Sequence, residues 1–119
     1  MESKVQITIM SGVEDGTALI YDADRGDGEP QPRGWVLTVG RKDENDICLR
    51  NDTYVSRRHA NLIRHATGWQ LEDLDSTNGS FIENADDFFA DIPVTGTVPI
   101  QDGQLFRVGR TWLRIQLVK

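Results

Sequence analysis

The chain has 119 residues, 38% of them hydrophobic and 27% charged, and its 13 basic and 19 acidic side chains give a net charge of −6. The composition excludes wholesale disorder, the length predicts one domain over residues 1–119, and the acidic balance argues against binding of nucleic acid or anionic membranes. No apolar run reaches the roughly 18 residues of a membrane span, no secretion signal opens the chain, and the single Cys48 cannot close an internal disulfide. We therefore expect an intracellular protein, located in the cytoplasm or the nucleus.

Nine short segments have the alternating or apolar pattern of β-strands, and no segment shows sustained helical periodicity. In chain order they are residues 5–9, 18–21, 35–39, 60–63, 69–73, 81–82, 94–98, 105–108 and 113–117. Turn-forming residues separate them, and residues 24–34, which are rich in glycine and proline, are predicted to be a flexible loop. Short strands at this spacing indicate an all-β sandwich or barrel.

The middle of the sequence is the one region with a positive charge balance. Residues 40–65 carry a balance of +2, whereas the segments 1–39 and 66–119 each carry −4. Five of the six basic residues in this region are arginines, whose planar guanidinium suits carboxylate or phosphate oxygens. On charge alone, a solvated surface remains the alternative interpretation.

Three short motifs follow or precede predicted strands in and just after this region. They are Gly40-Arg41, the segment 56–59 with the sequence Ser-Arg-Arg-His, and the segment 75–80 with the sequence Asp-Ser-Thr-Asn-Gly-Ser. Together they supply guanidinium donors, hydroxyl donors and a side-chain amide that can hydrogen-bond a peptide backbone. Because a β-sandwich gathers its loops at its two ends, these motifs are predicted to converge on one oxyanion-binding surface.

Gly-Arg, then Ser-x-x-His, then Ser-Thr-Asn-Gly, in this order within 40 residues, resembles the forkhead-associated (FHA) domain. The resemblance extends over residues 35–118. It implies a β-sandwich of about eleven mostly antiparallel strands with peptide-binding loops at one end. It also implies a non-catalytic, cofactor-free signalling module that binds a threonine-phosphorylated protein or peptide and acts alongside a Ser/Thr kinase.

The resemblance assigns roles to individual loop residues. It implies that Arg41, Ser56, Arg57 and Thr77 bind the phosphate and that Asn78 hydrogen-bonds the peptide backbone. Gly40, His59 and Gly79 would support the site without contacting the ligand. Tyr54 and Ser80 are candidates for selecting the residues that flank the phosphothreonine.

One segment departs from the pattern of this family. After Phe81-Ile82 the chain continues with Glu83-Asn84 and an acidic stretch, so residues 83–91 are interpreted as an insertion that leaves the strand pairing after Ile82 open. We expect Phe88 and Phe89 to belong to a local core. An exposed pair would instead favour the alternative function, a phosphate-independent scaffold that binds a partner through this loop.

An enzyme is disfavoured on the same residues. Ser56 and His59, with Asp73 or Asp75, could suggest a hydrolase triad. The chain lacks a Gly-x-Ser-x-Gly nucleophile elbow, and a three-residue spacing of serine and histidine provides no special geometry.

A metal site and an adhesion motif are disfavoured as well. Cys48, His59 and His65 lack the paired spacing of zinc ligands. Arg25-Gly26-Asp27 spells an adhesion tripeptide, which we interpret as a chance match in a polar loop.

Overall fold

The computed structural model describes residues 4–66, 68–87 and 89–118, which form twelve β-strands and one 3₁₀ helix. The strands are β1 Lys4–Ile9, β2 Ala18–Asp22, β3 Glu29–Gln31, β4 Gly34–Gly40, β5 Ile47–Cys48, β6 Ala60–His65, β7 Gly68–Asp73, β8 Ser80–Ile82, β9 Ile92–Pro93, β10 Thr97–Ile100, β11 Leu105–Val108 and β12 Thr111–Leu117. The 3₁₀ helix, Ala23–Arg25, follows β2. This part of the chain contains no helix with the length and hydrophobicity that crossing a bilayer requires.

The strands form two six-stranded sheets. The first sheet has the order β2-β1-β12-β11-β8-β9, and the second has the order β10-β7-β6-β4-β3, with β5 also pairing with β4. Every pairing is antiparallel except the short parallel contact between β4 and β5. The predicted all-β fold is therefore confirmed as a sandwich of mostly antiparallel strands.

The core lies between the sheets and follows the period-two alternation of their central strands. Val5, Ile7 and Ile9 of β1 are fully or almost fully buried, whereas the intervening residues of that strand are partly exposed. In the second sheet, Trp35 and Trp69 pack edge to face with ring centroids 5.7 Å apart. Aromatic pairs in this arrangement contribute stability beyond the apolar area that they bury.

Two predicted elements differ in the structure. The predicted flexible loop 24–34 contains part of the 3₁₀ helix and the edge strand β3, because backbone pairing with β4 orders it. The predicted strand 94–98 is wrong in its bounds, since only Thr97 and Val98 lie in a strand, β10. The chain passes there from β9 in the first sheet to β10 in the second, and Gly96, with a φ of 66°, lies in the connection.

Residues 83–91 connect β8 to β9, which pair with each other, while β8 also pairs with β11. The strand pairing after Ile82 is therefore regular. Phe89 is 98% exposed, so the expectation that it belongs to a local core is wrong. Phe88 lies outside the described residues.

The strand registers bring the motif-bearing loops to one end of the sandwich. In the second sheet, Ala60 at the start of β6 pairs with Val39 near the end of β4 and with Asp73 at the end of β7. In the first sheet, Val108 at the end of β11 pairs with Ser80 at the start of β8. The loops β4–β5, β5–β6, β7–β8 and β11–β12 consequently emerge together, and we call this end of the molecule the apical surface.

Candidate functional site

The three motifs meet at Ser56. The Arg41 amide donates to the Ser56 carbonyl at 3.0 Å, and the Thr77 amide donates to Ser56 Oγ at 3.2 Å. Arg41 Nε also donates to the Val55 carbonyl at 3.0 Å, which holds the exposed guanidinium against the neighbouring loop. Because Ser56 Oγ accepts a hydrogen bond from Thr77, its own hydroxyl hydrogen is left to donate elsewhere.

His59 connects the β5–β6 loop to the β7–β8 loop. It is completely buried, its Nδ1 accepts the Ser56 amide hydrogen at 2.9 Å, and its Nε2 lies 2.9 Å from the Gly79 carbonyl. Since Nδ1 is an acceptor, the network assigns the ring proton to Nε2, which donates to Gly79. Burial lowers the pKa of His59, so the neutral ring is the form that the fold holds.

This lowered pKa predicts a pH dependence of stability. The unfolded chain takes up a proton near pH 6.5 more readily than the folded chain does, so the contribution of neutral His59 is complete above about pH 6.5 and is lost as the pH falls toward the folded pKa. We expect the free energy of unfolding, measured in urea between about pH 8 and 5, to fall across this window. A His59→Gln variant should lack that part of the slope, and an unchanged slope would contradict the assignment.

Gly40 is required by close packing. A Cβ at this position would lie 2.2 Å from the Arg57 carbonyl oxygen and 2.7 Å from Asn45 Nδ2. The buried Asn45 amide donates to the carbonyls of Lys42 and Arg57, each at 2.8 Å. Sequence reasoning missed Asn45, because an asparagine in a polar turn carries no signal of what its side chain reaches.

Asp73 organises the loop that carries Thr77 and Asn78. Its Oδ1 accepts the hydroxyls of Ser76 at 2.6 Å and Ser80 at 2.7 Å, and its Oδ2 accepts the Ser76 amide at 3.1 Å. Ser80 is only 1% exposed, so the expectation that it contacts a flanking residue is corrected: its hydroxyl is committed to Asp73 inside the protein.

The turn into β8 depends on Gly79. Its φ of 84° lies in the left-handed region, and its amide donates to Ser76 Oγ at 3.0 Å. A glycine adopts this conformation without the steric cost that a Cβ adds. Gly79 therefore shapes the loop while its carbonyl holds His59.

Asn78 and Tyr54 lie next to the meeting point. Asn78 is exposed and donates from Nδ2 to the Tyr54 carbonyl at 2.9 Å, which leaves a second amide hydrogen and a carbonyl oxygen for other partners. Tyr54 is 40% exposed, and the Arg110 guanidinium lies 3.7 Å from the centroid of its ring. Arg57, also exposed, is a further basic residue of the apical surface.

Arg110 was missed by sequence reasoning, although a signal for it exists. Val-Gly-Arg occurs at residues 39–41 and again at 108–110, each time where a strand runs into an apical loop. Asp52 holds the second Val-Gly-Arg segment in place, because its Oδ2 accepts the Arg110 amide at 2.8 Å and the Thr111 hydroxyl at 2.7 Å.

A pocket of about 240 Å³ opens beside Tyr54 and Arg110. The β1–β2 loop forms its far wall with Ser11, Gly12, Val13 and Glu14. The pocket therefore combines an aromatic and aliphatic lining with the guanidinium of Arg110 and the carboxylates of Glu14 and Asp52.

The geometry does not form a hydrolase triad. His59 uses both ring nitrogens on backbone groups of Ser56 and Gly79, so neither nitrogen is placed to take the proton of Ser56 Oγ.

Cys48, which was weighed as a zinc ligand, has its Sγ 3.6 Å from the Arg41 carbonyl. Across residues 4–66, 68–87 and 89–118, no three His, Cys, Asp or Glu side chains group as metal ligands.

The structure is a mostly antiparallel two-sheet sandwich, and its end loops gather Arg41, Ser56 and Thr77. This is the arrangement of a β-sandwich recognition domain, which presents its binding residues on loops. The sequence model of the FHA domain family matches residues 37–109 of this chain. The chain belongs to the FHA domain family, and the resemblance seen in the motifs is confirmed.

Individual relatives agree with this assignment. The FHA domain-containing protein FhaB of Mycobacterium tuberculosis is 35% identical over 80 residues, which cover 67% of this chain and 46% of FhaB. The chain thus spans about half the length of that relative. An FHA domain studied for phosphothreonine-dependent interactions aligns with a TM-score of 0.70 and 24% identity, covering 98% of each chain. The FhaA FHA domain, complexed with the intracellular domain of Rv3910, aligns with a TM-score of 0.66 and 26% identity over 94% of this chain and 99% of that one.

Proposed function

We propose that this chain is a non-catalytic module that binds a phosphothreonine in another protein through its apical loops. The observation that carries the proposal is the convergence of the three motifs on Ser56, which is bonded to the backbones of both Arg41 and Thr77. The Arg41 guanidinium and the Ser56 hydroxyl bind the phosphate oxygens. Thr77 adds a second hydroxyl, and Arg57 contributes further positive charge.

The chemistry of the ligand matches this donor set. A phosphothreonine carries about −1.5 to −2 charges at pH 7 and three strong acceptor oxygens. Arginine clusters are a recurring means of recognising phosphorylated motifs, since the guanidinium bonds phosphate through two parallel N–H groups. The positive balance of residues 40–65 favours such a ligand locally, although the chain as a whole is acidic.

Asn78 holds the peptide backbone in this proposal. Its amide retains one donor and one acceptor after bonding the Tyr54 carbonyl, and a peptide in extended conformation offers the complementary pair of groups. Tyr54 and Arg110, which border the neighbouring pocket, select a side chain that flanks the phosphothreonine. The partner is a target of a Ser/Thr kinase, since such a kinase makes the phosphothreonine.

A peptide array tests this function directly. The chain is probed with a degenerate library in phosphothreonine, phosphoserine and unphosphorylated forms. We expect binding to the phosphothreonine peptides, weaker binding to phosphoserine because one methyl contributes roughly 1–3 kcal/mol, and none to the unphosphorylated form. Equal binding of phosphorylated and unphosphorylated peptides would overturn the proposal.

Phe89 favours a second candidate function, a phosphate-independent contact through residues 83–91. A phenylalanine that is 98% exposed in an acidic loop is an unusual surface feature, and it suits a basic partner with an apolar socket. A partner captured equally by the parent chain and an Arg41→Ala variant, but lost with Phe89→Ala, would support this function. Loss with Arg41→Ala alone would assign the same partner to the apical surface.

A further inference from the structure

The sandwich has open edges at the outermost strands of its two sheets. These strands are β2 and β9 in the first sheet and β10 and β3 in the second, where the two-residue β5 pairs with β4 beside this strand order. An edge strand presents unpaired N–H and C=O groups that can accept a strand from another chain. Native proteins therefore protect their edges, for example with proline, which cannot donate a hydrogen bond to an added strand.

All four prolines of the chain lie in or next to three of these four edges. Pro30 lies in β3 and Pro32 directly follows it, while Pro93 lies in β9 and Pro99 in β10. The fourth edge, β2, has five residues and contains no proline. Its central residue, Ile20, is 49% exposed, so β2 has the length and apolar surface of a strand that can pair further.

Two side chains bond outward backbone groups of β2 at Ile20 and Asp22. Arg25 Nη2 donates to the Ile20 carbonyl at 2.8 Å, and Asp27 Oδ2 accepts the Asp22 amide at 2.9 Å. The Asp27 amide also donates to the Asp22 carbonyl at 3.1 Å. Residues that alternate along an antiparallel strand turn both backbone groups to the same side, so Ile20 and Asp22 both face away from β1.

Arg25 and Asp27 are in turn joined to each other. Arg25 Nη2 lies 2.6 Å from Asp27 Oδ2, and Arg25 Nε donates to the same oxygen at 3.0 Å. The Asp22 amide and then the Arg25 guanidinium hold the pKa of Asp27 below its usual range. The tripeptide 25–27, which resembles an adhesion motif, therefore covers part of the outer edge of β2. We call this bonded pair of side chains the Arg25–Asp27 clamp.

We propose that β2 is a strand-docking edge that the Arg25–Asp27 clamp keeps closed, and that opening the clamp allows β2 of a second copy of this chain to pair with it. An antiparallel β2–β2 pair is self-complementary, because the two-fold axis places Ile20 opposite Ile20. The pair would bury two half-exposed isoleucines against each other and continue the first sheet across both copies. This inference does not depend on phosphopeptide binding.

Analytical ultracentrifugation of the parent chain and an Arg25→Ala variant over a wide concentration range tests the proposal. Arg25→Ala frees the Ile20 carbonyl and removes the guanidinium that holds the Asp27 carboxylate over the Asp22 amide. We expect it to lower the dimer dissociation constant by at least about tenfold. Arg33→Ala is the matched control, because it removes an equally charged side chain whose partner, Glu72, lies on the second sheet. It should associate no more than the parent chain.

A second variant shows whether β2 is the surface involved. Arg25→Ala combined with Ile20→Lys places two like charges opposite each other across the two-fold axis, and it should restore the association behaviour of the parent chain. Circular dichroism establishes that each variant is folded. Three results would overturn the proposal: a parent chain that already dimerises through β2, an Arg25→Ala variant that associates no more than the parent, or association that persists with Ile20→Lys.

Discussion

Replacing Arg41 by alanine is expected to weaken binding of a phosphothreonine peptide by on the order of 30- to 1,000-fold. This range corresponds to about 2–4 kcal/mol, which is the loss of one to two hydrogen bonds to a charged group at roughly 1.5–3 kcal/mol net each, less than their full sum because water replaces part of the interaction. Arg41 is exposed and oriented by its Nε bond to the Val55 carbonyl, so little ordering is needed when the ligand arrives. Isothermal titration calorimetry with the best library peptide measures the change.

Two comparison variants separate this role from a general effect of charge. Arg33→Ala changes the net charge equally, but its guanidinium pairs with Glu72 and Gln31 and with no residue of the three motifs, so it should bind like the parent chain. Arg41→Lys keeps the charge but loses the planar pair of donors, so an intermediate affinity is expected. An Arg41→Ala variant that binds as tightly as Arg33→Ala would remove Arg41 from the site.

Replacing His59 by alanine is expected to cost about 3–5 kcal/mol of folding free energy. The substitution empties a fully buried position and leaves the Ser56 amide and the Gly79 carbonyl without their partner. Unpaired buried polar groups cost roughly 1–3 kcal/mol each, and the cavity adds to that loss. Urea unfolding at pH 8, where the ring of the parent chain is neutral, gives the difference directly.

His65→Ala provides the control, because it removes the other histidine of the chain at the partly exposed end of β6. Its loss of stability should be well below that of His59→Ala, as is usual for positions that are not buried. We also expect His59→Ala to weaken phosphopeptide binding at a temperature where it remains folded, because the two loops that it joins are then free to separate. A stable variant with unchanged peptide affinity would show that His59 does not hold the site together.

The local pattern of the chain was sufficient to predict its architecture. Alternation of apolar and polar residues identified β1, β4, β7 and β12, since a half-buried strand exposes one side chain and buries the next. It failed for the two-residue strands β5 and β9, which are too short to show a period. It also misplaced the strand predicted at residues 94–98, because the chain changes sheets there before β10 begins at Thr97.

The motifs were likewise sufficient to place Arg41, Ser56 and Thr77 on neighbouring loops of one surface. The spacing of glycine, serine and histidine reflects local turn geometry, which a single sequence displays. The sequence does not show which distant residue each side chain contacts. Ser80 lies one residue from Gly79 and looks equally available, yet its hydroxyl is buried on Asp73.

Sequence alone therefore determined the fold class, because strand periodicity is local. It determined the residues gathered at the apical end through three motifs and their resemblance to the FHA domain. Only the tertiary structure decided how Asn45, Asp52 and Asp73 brace the loops and that Arg25 and Asp27 close the edge of β2. It also decided that Phe89 is exposed. The reason is physical: hydrogen bonds between loops and the exposure of a loop residue depend on how separate segments pack, and no local pattern of residues encodes that packing.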